Sequence, residues 1–135
     1  MIVSRPFYGV LNQREFVEND CGEQLAKLGE AILRKYLLKH QPNYLDAFDF
    51  VLDTKAVYKC NMFVTRREIL DAFCTWLFSF VTDATREALQ SLRLENLSWT
   101  PRRLMSFLAE RMLHVWLFKQ HLRIKELNVM FVAGI

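Results

Sequence analysis

The chain is poor in the residues that punctuate or staple a fold. Its 135 residues include four glycines, three prolines and three cysteines. Cys21, Cys60 and Cys74 make no CxxC pair and no Cys/His array, which excludes a disulfide scaffold and a zinc knuckle and fits a reducing compartment. With few glycines and prolines and 52% hydrophobic residues, the chain is neither low-complexity nor disordered. No apolar run is long. The greasiest stretch, 73–81, is interrupted by Thr75 and Ser79 and falls well short of the roughly 20 residues that a membrane span needs. The start carries no basic-then-apolar leader, so the expected location is cytoplasmic, with association to a membrane surface left open. A formal net charge of +3 is too small for a nucleic-acid footprint, so no nucleic acid is expected as a partner. P-loop, GxGxxG, HExxH and nucleophile-elbow motifs are all missing.

Aromatic surface is what the chain has in excess, with eleven Phe, four Tyr and three Trp. The length allows a single domain, 1–135, with a real core. So much aromatic area on so few residues points to a face buried against something else, either a second copy or the rest of a larger protein. Charge is uneven. Glu15, Glu18, Asp20, Glu23 and Glu30 crowd one region, while Arg102, Arg103, Arg111, Lys119, Arg123 and Lys125 crowd another.

The pattern predicts a short strand at 1–3 and a helix over 21–40, with Leu25, Leu28, Ile32 and Tyr36 as its apolar stripe. Pro42 ends it and opens a second helix over 43–52, in which Tyr44, Ala47, Phe48 and Val51 share a face. A strand is expected over 56–64 and a long helix over 66–92, capped by Thr65 with Glu68. That helix should bury Ile69, Leu70, Phe73, Leu77 and Phe80. Thr100-Pro101 starts a further helix over 101–119, and 123–132 reads as a strand. Strand, two helices, strand, two helices and strand suit an incomplete α/β layer.

Chemistry concentrates on the helix 101–119. Glu110 and His114 lie four residues apart, so their Cβ atoms sit about 5–6 Å from one another on one face. A carboxylate beside an imidazole among apolar residues can act as a general base. The blander alternative is an ordinary Glu paired with His114, Arg103 or Arg111. Two ligands are too few for zinc. Arg66 and Arg67 follow a strand and begin a helix, where they would steady a phosphate or sugar hydroxyl or simply be solvated. Asn61 is unusual in an apolar strand and either holds a loop or faces solvent. Trp76 and Trp116 stand at core spacing, whereas Trp99 lies in a loop and is the tryptophan suited to stacking on a ligand.

Several segments together carry a family likeness. They are Tyr44-Leu-Asp-Ala-Phe48, Tyr58, Asn61-Met-Phe-Val64, Trp76-Leu-Phe78, Arg103, Phe107-Leu-Ala-Glu-Arg-Met-Leu113, Val115-Trp-Leu117 and Ile124-Lys-Glu-Leu127. In combination they resemble the C-terminal half of a bacterial glycosyltransferase family of capsule, exopolysaccharide and O-antigen clusters, often described only as a domain of unknown function (DUF4422). Ser106 and His114 depart from the Gly and Asn usual there.

The resemblance implies a partial Rossmann-like, GT-A-like α/β fold. The chain would be the acceptor-side part of an enzyme transferring a sugar from a nucleotide-sugar to a growing surface polysaccharide. Glu110 would be the base, with Asn61, Arg66, Arg67, Trp99, Arg103 and His114 toward the substrate. The implied partners are a saccharide acceptor and either a homo-oligomer or a missing N-terminal half. The nucleotide-sugar donor and a divalent metal would belong to the complete enzyme, with no cofactor bound by this chain alone. A non-catalytic carbohydrate-binding or protein-interaction module is the alternative.

Overall fold

The computed structural model describes residues 1–58, 60–130 and 132–134. Strand β1 (Ile2–Ser4) and strand β2 (Phe7–Tyr8) lead into helices α1 (Gln13–Cys21) and α2 (Glu23–His40). A 3-10 turn, Pro42–Tyr44, precedes α3 (Leu45–Leu52), then come β3 (Ala56–Val57) and β4 (Phe63–Val64). Helices α4 (Arg67–Phe78) and α5 (Val81–Leu92) follow. A 3-10 turn at Leu94–Asn96, α6 (Trp99–Arg102), α7 (Leu104–Phe118) and β5 (Lys125–Leu127) complete the order.

The fold is mostly helical. In place of the expected Rossmann-like layer there are two small sheets, one of order β4-β1-β5 and one pairing β2 with β3. β1 is central, antiparallel to β4 with Ile2 opposite Val64, and parallel to β5 with Ile2 opposite Lys125. The segments 56–64 and 123–132 do meet in one sheet, but only through 63–64 and 125–127, with the chain's first strand between them. The continuous strand expected over 56–64 is split because Cys60 and Asn61 take left-handed backbone, φ 65° and 48°. That reversal sends β3 to β2 and β4 to β1. Phe131, counted within the expected last strand, lies outside the described residues.

Helix α7 organises the rest. Leu104, Met105, Leu108, Arg111, Met112, Leu113, Val115, Trp116 and Leu117 are all buried, so the helix is enclosed nearly all round. α2 crosses it at Gly29, where an added Cβ would come within 2.5 Å of a Leu104 methyl. Close approach requires glycine there. The buried positions of α2 are Ala26, Gly29, Leu33 and Leu37, one step round from the expected stripe, and Leu28 is exposed. α3 buries Ala47, Phe48, Val51 and Leu52 as its spacing predicts. Burial of each large side chain of this core contributes about 1.5–3 kcal/mol.

Three helix boundaries depart from the sequence expectation, each for a local reason. The first helix begins earlier, at Gln13, because Asn12 and Glu15 form a reciprocal capping box. It breaks at Gly22, whose φ of 88° is accessible to glycine. The expected helix 66–92 breaks at 79–80, where the Ser79 hydroxyl donates to the Trp76 carbonyl at 2.6 Å and Phe80 leaves helical geometry to bury its ring completely. Leu70, expected in that helix's core face, is exposed. Thr65 does not cap α4. Arg66 occupies the cap position without a side-chain bond, and the buried Thr65 hydroxyl has no partner among the described residues. α6 starts after Ser98, and Arg103 separates it from α7.

Candidate functional site

Between β3 and β4 the connector backbone meets α7 where Cys60 reaches Glu110, with Asn61 next to Cys60 in the chain and His114 one turn further along the helix. Glu110 Oε1 accepts the backbone N–H of Cys60, and Oε2 accepts from Arg111 Nη1 at 3.0 Å. The Glu110 side chain is 18% exposed and that of Arg111 7%, so this is a nearly enclosed ion pair. Its two charges are costly to bury, and removal of one partner typically costs about 3–5 kcal/mol. Asn61 follows Cys60 on the exposed rim, also in left-handed backbone. Two consecutive non-glycine residues held in that region store strain, a feature that clusters at functional sites.

His114 lies one turn further along α7 but is not bonded to Glu110. The Gln13 amide nitrogen donates both to the Ala56 carbonyl at 2.8 Å and to His114 Nδ1 at 2.8 Å. The amide is a donor at both contacts, so Nδ1 accepts and the imidazole is neutral with its proton on Nε2. Burial lowers the His114 pKa to about 4, with the Ala56 carbonyl acting in the opposite sense. The Tyr58 ring meets His114 edge-on at 4.9 Å, and its hydroxyl donates to Glu126 Oε1 at 2.9 Å. Burial is the main cause raising the Tyr58 pKa, with the Glu126 carboxylate adding to it. Gln13, Tyr58, His114 and Glu126 thus tie α1, the connector, α7 and β5 into one polar network.

The remaining sequence candidates stand elsewhere. Arg66 and Arg67 are exposed at the start of α4, Arg67 being 3.7 Å from Asp71. Trp99 is 70% exposed on the first residue of α6. The Arg103 guanidinium lies 5.0 Å over the Phe107 ring. Among the described residues no hydrogen bond, ion pair or ring contact joins these four to Glu110. No group of three His, Cys, Asp or Glu side chains among the described residues can hold a metal.

Sequence reasoning passed over Gln13, which is fully buried, and gave Glu126 no place in the site, whereas the Glu110–Arg111 pair is the ordinary ion pairing it had set against the general-base reading. The Asn12–Glu15 capping pattern was the available signal for Gln13, since it places that residue in the first turn of a helix. The split of 56–64 had one signal, Asn61, since asparagine is poor in strands and tolerates left-handed backbone, but Cys60 carried none.

No helix of the described residues is long and apolar enough to cross a membrane. No curated protein and no solved structure matches the chain. Residues 8–121 match the family model described as "Domain of unknown function (DUF4422)". That match spans most of the sequence, and the chain belongs to the DUF4422 family.

Proposed function

We propose that this chain is the acceptor-side portion of a glycosyltransferase that extends a surface polysaccharide, with the nucleotide-sugar held by a donor-binding half outside it. In such a transfer a new bond forms between an acceptor oxygen and the anomeric carbon. The bond to the nucleoside diphosphate breaks, and the acceptor hydroxyl loses its proton to a base. Glu110 is the residue we assign to that proton. One observation carries the assignment: its carboxylate, paired with a buried arginine, reaches the backbone of an exposed, strained loop. Release of the Cys60 N–H would free Oε1 for a sugar hydroxyl. His114, neutral and bonded to Gln13, keeps its side of α7 rigid. The GT-A-like ancestry of the fold belongs to the same proposal and rests on family likeness.

A second reading is favoured by the occupancy of both Glu110 oxygens. In it the chain is a non-catalytic carbohydrate-binding module and Glu110 only holds the 58–62 loop. Two variants separate the readings, assayed by sugar transfer with the donor-binding half supplied. Glu110→Gln keeps an oxygen for the Cys60 N–H but leaves the Arg111 charge unpaired. Glu110→Gln combined with Arg111→Met removes that complication. A proton acceptor predicts that both lose roughly 10²–10⁴-fold in turnover. Near-normal turnover in the folded double variant would reduce Glu110 to a loop anchor.

A further inference from the structure

A second concavity, not anticipated from the sequence, opens where the 42–44 turn faces α4 and the end of α7. It is a shallow depression open to solvent, of ≈ 600 Å³, and lies against Tyr44, Trp76 and Trp116, with Gln41, Asp71, Ser79 and Gln120 among its polar lining. We propose that this cleft binds a neutral pyranose of a saccharide chain. The inference rests on the acceptor-side reading and adds a subsite for a sugar unit of the acceptor chain away from Glu110, which does not line the cleft.

The chemistry of the lining selects the ligand class. The half-buried Tyr44 ring, tilted 49° against the nearly buried Trp76 with centroids 4.8 Å apart, offers the aromatic edge on which the apolar face of a sugar ring would rest. The polar groups around it are already oriented by one another. Gln120 Nε2 donates to the Tyr44 hydroxyl at 2.9 Å, which leaves that hydroxyl its own proton to give. Gln41 Nε2 donates to Ser79 Oγ at 3.0 Å, and Ser79 Oγ donates to the Trp76 carbonyl at 2.6 Å, so the serine is committed to the wall. The two glutamine carbonyl oxygens make no hydrogen bond among the described residues and are acceptors for ligand hydroxyls. Trp76 itself is 6% exposed and its indole N–H has no partner among the described residues.

Charge narrows the class further. Asp71 is the one charged side chain among the lining residues, and no Lys, Arg or His lines the cleft. A phosphate or uronate would meet a carboxylate and no cation. A wholly apolar ligand would leave the two amides without partners. A ring with an apolar face and several hydroxyls satisfies both constraints, and the volume accommodates a sugar unit with its neighbour.

The test is a ¹H–¹⁵N titration of the whole chain with glucose, galactose, mannose and rhamnose and with neutral oligosaccharides built from them. Binding should move the Trp76 indole resonance and the side-chain amides of Gln41 and Gln120. Tyr44→Phe and Gln120→Ala, which leave the core intact, should each weaken binding roughly three- to tenfold. Absence of shifts with every sugar overturns the proposal. So do shifts confined to residues 58–62, or a preference for acidic sugars or a Gln- and Pro-rich peptide. Because the readout is binding by this chain, its failure leaves the Glu110 transfer experiment standing, and loss of the transferase reading leaves measured saccharide binding standing.

Discussion

Acidification should destabilise this protein through His114 before its surface carboxylates matter. The imidazole is neutral in the fold and accepts the Gln13 amide proton, so it cannot be protonated without breaking that contact. Its pKa falls from an ordinary 6.5 to about 4 because the ring is buried. The sign follows from linkage. Between these two values the unfolded chain takes up a proton that the folded chain refuses, so stability is intact above pH 6.5 and declines as pH falls toward 4. That interval corresponds to about 3 kcal/mol. Against a typical domain stability of about 5–15 kcal/mol the loss is large. The paired carboxylates act lower. Lys119 holds the Asp46 pKa below its ordinary 3.8 and Arg34 does the same for Asp49, so their contributions are lost only beneath that value. Urea unfolding at pH 7, 5.5 and 4.5 reads the effect as a falling midpoint. In His114→Asn the midpoint at pH 7 should be lower, and the decline between pH 7 and 4.5 should largely vanish. A His114 resonance titrating near 6.5 in the folded protein, or an equal decline in the variant, refutes the reasoning.

Two further outcomes follow from packing. Gly29→Ala places a Cβ 2.5 Å from Leu104 Cδ2 and 3.2 Å from Leu108 Cδ1, both in the fully packed α2–α7 crossing. It should destabilise by about 1–3 kcal/mol in urea unfolding, and a stabilised variant would show that the crossing is looser than described. Self-association is expected through apolar surface. Val64 and Leu127 on the three-stranded sheet and Met62 just before β4 are 68%, 46% and 42% exposed, and Phe50 and Phe118 form an exposed pair with centroids 5.0 Å apart. Sedimentation at micromolar concentration should show species heavier than one chain, reduced by Phe50→Ser with Phe118→Ser. A clean monomer at that concentration removes the argument.

The sequence by itself determined the helical segments and much of the core, because those depend on local periodicity. Ala47, Phe48 and Val51 share a buried face as their spacing requires. Trp76 and Trp116 are buried, as core spacing implied, and Trp99 is exposed as expected, though it opens helix α6 and does not lie in a loop. Family membership was also legible, since it rests on combinations of short segments. The tertiary structure alone decided where strands went and which polar groups met. Segment 56–64 has the composition of one strand, yet two left-handed residues divide it between two sheets, a choice fixed by the distant partners β1 and β2. Spacing placed His114 beside Glu110. A glutamine 101 positions away in the chain claimed the imidazole instead, because a buried ring must be satisfied by whichever donor packing brings to it. The cleft of Gln41, Tyr44, Trp76 and Gln120 exists only because a turn, a helix and the end of another helix converge, and no local pattern records such a meeting.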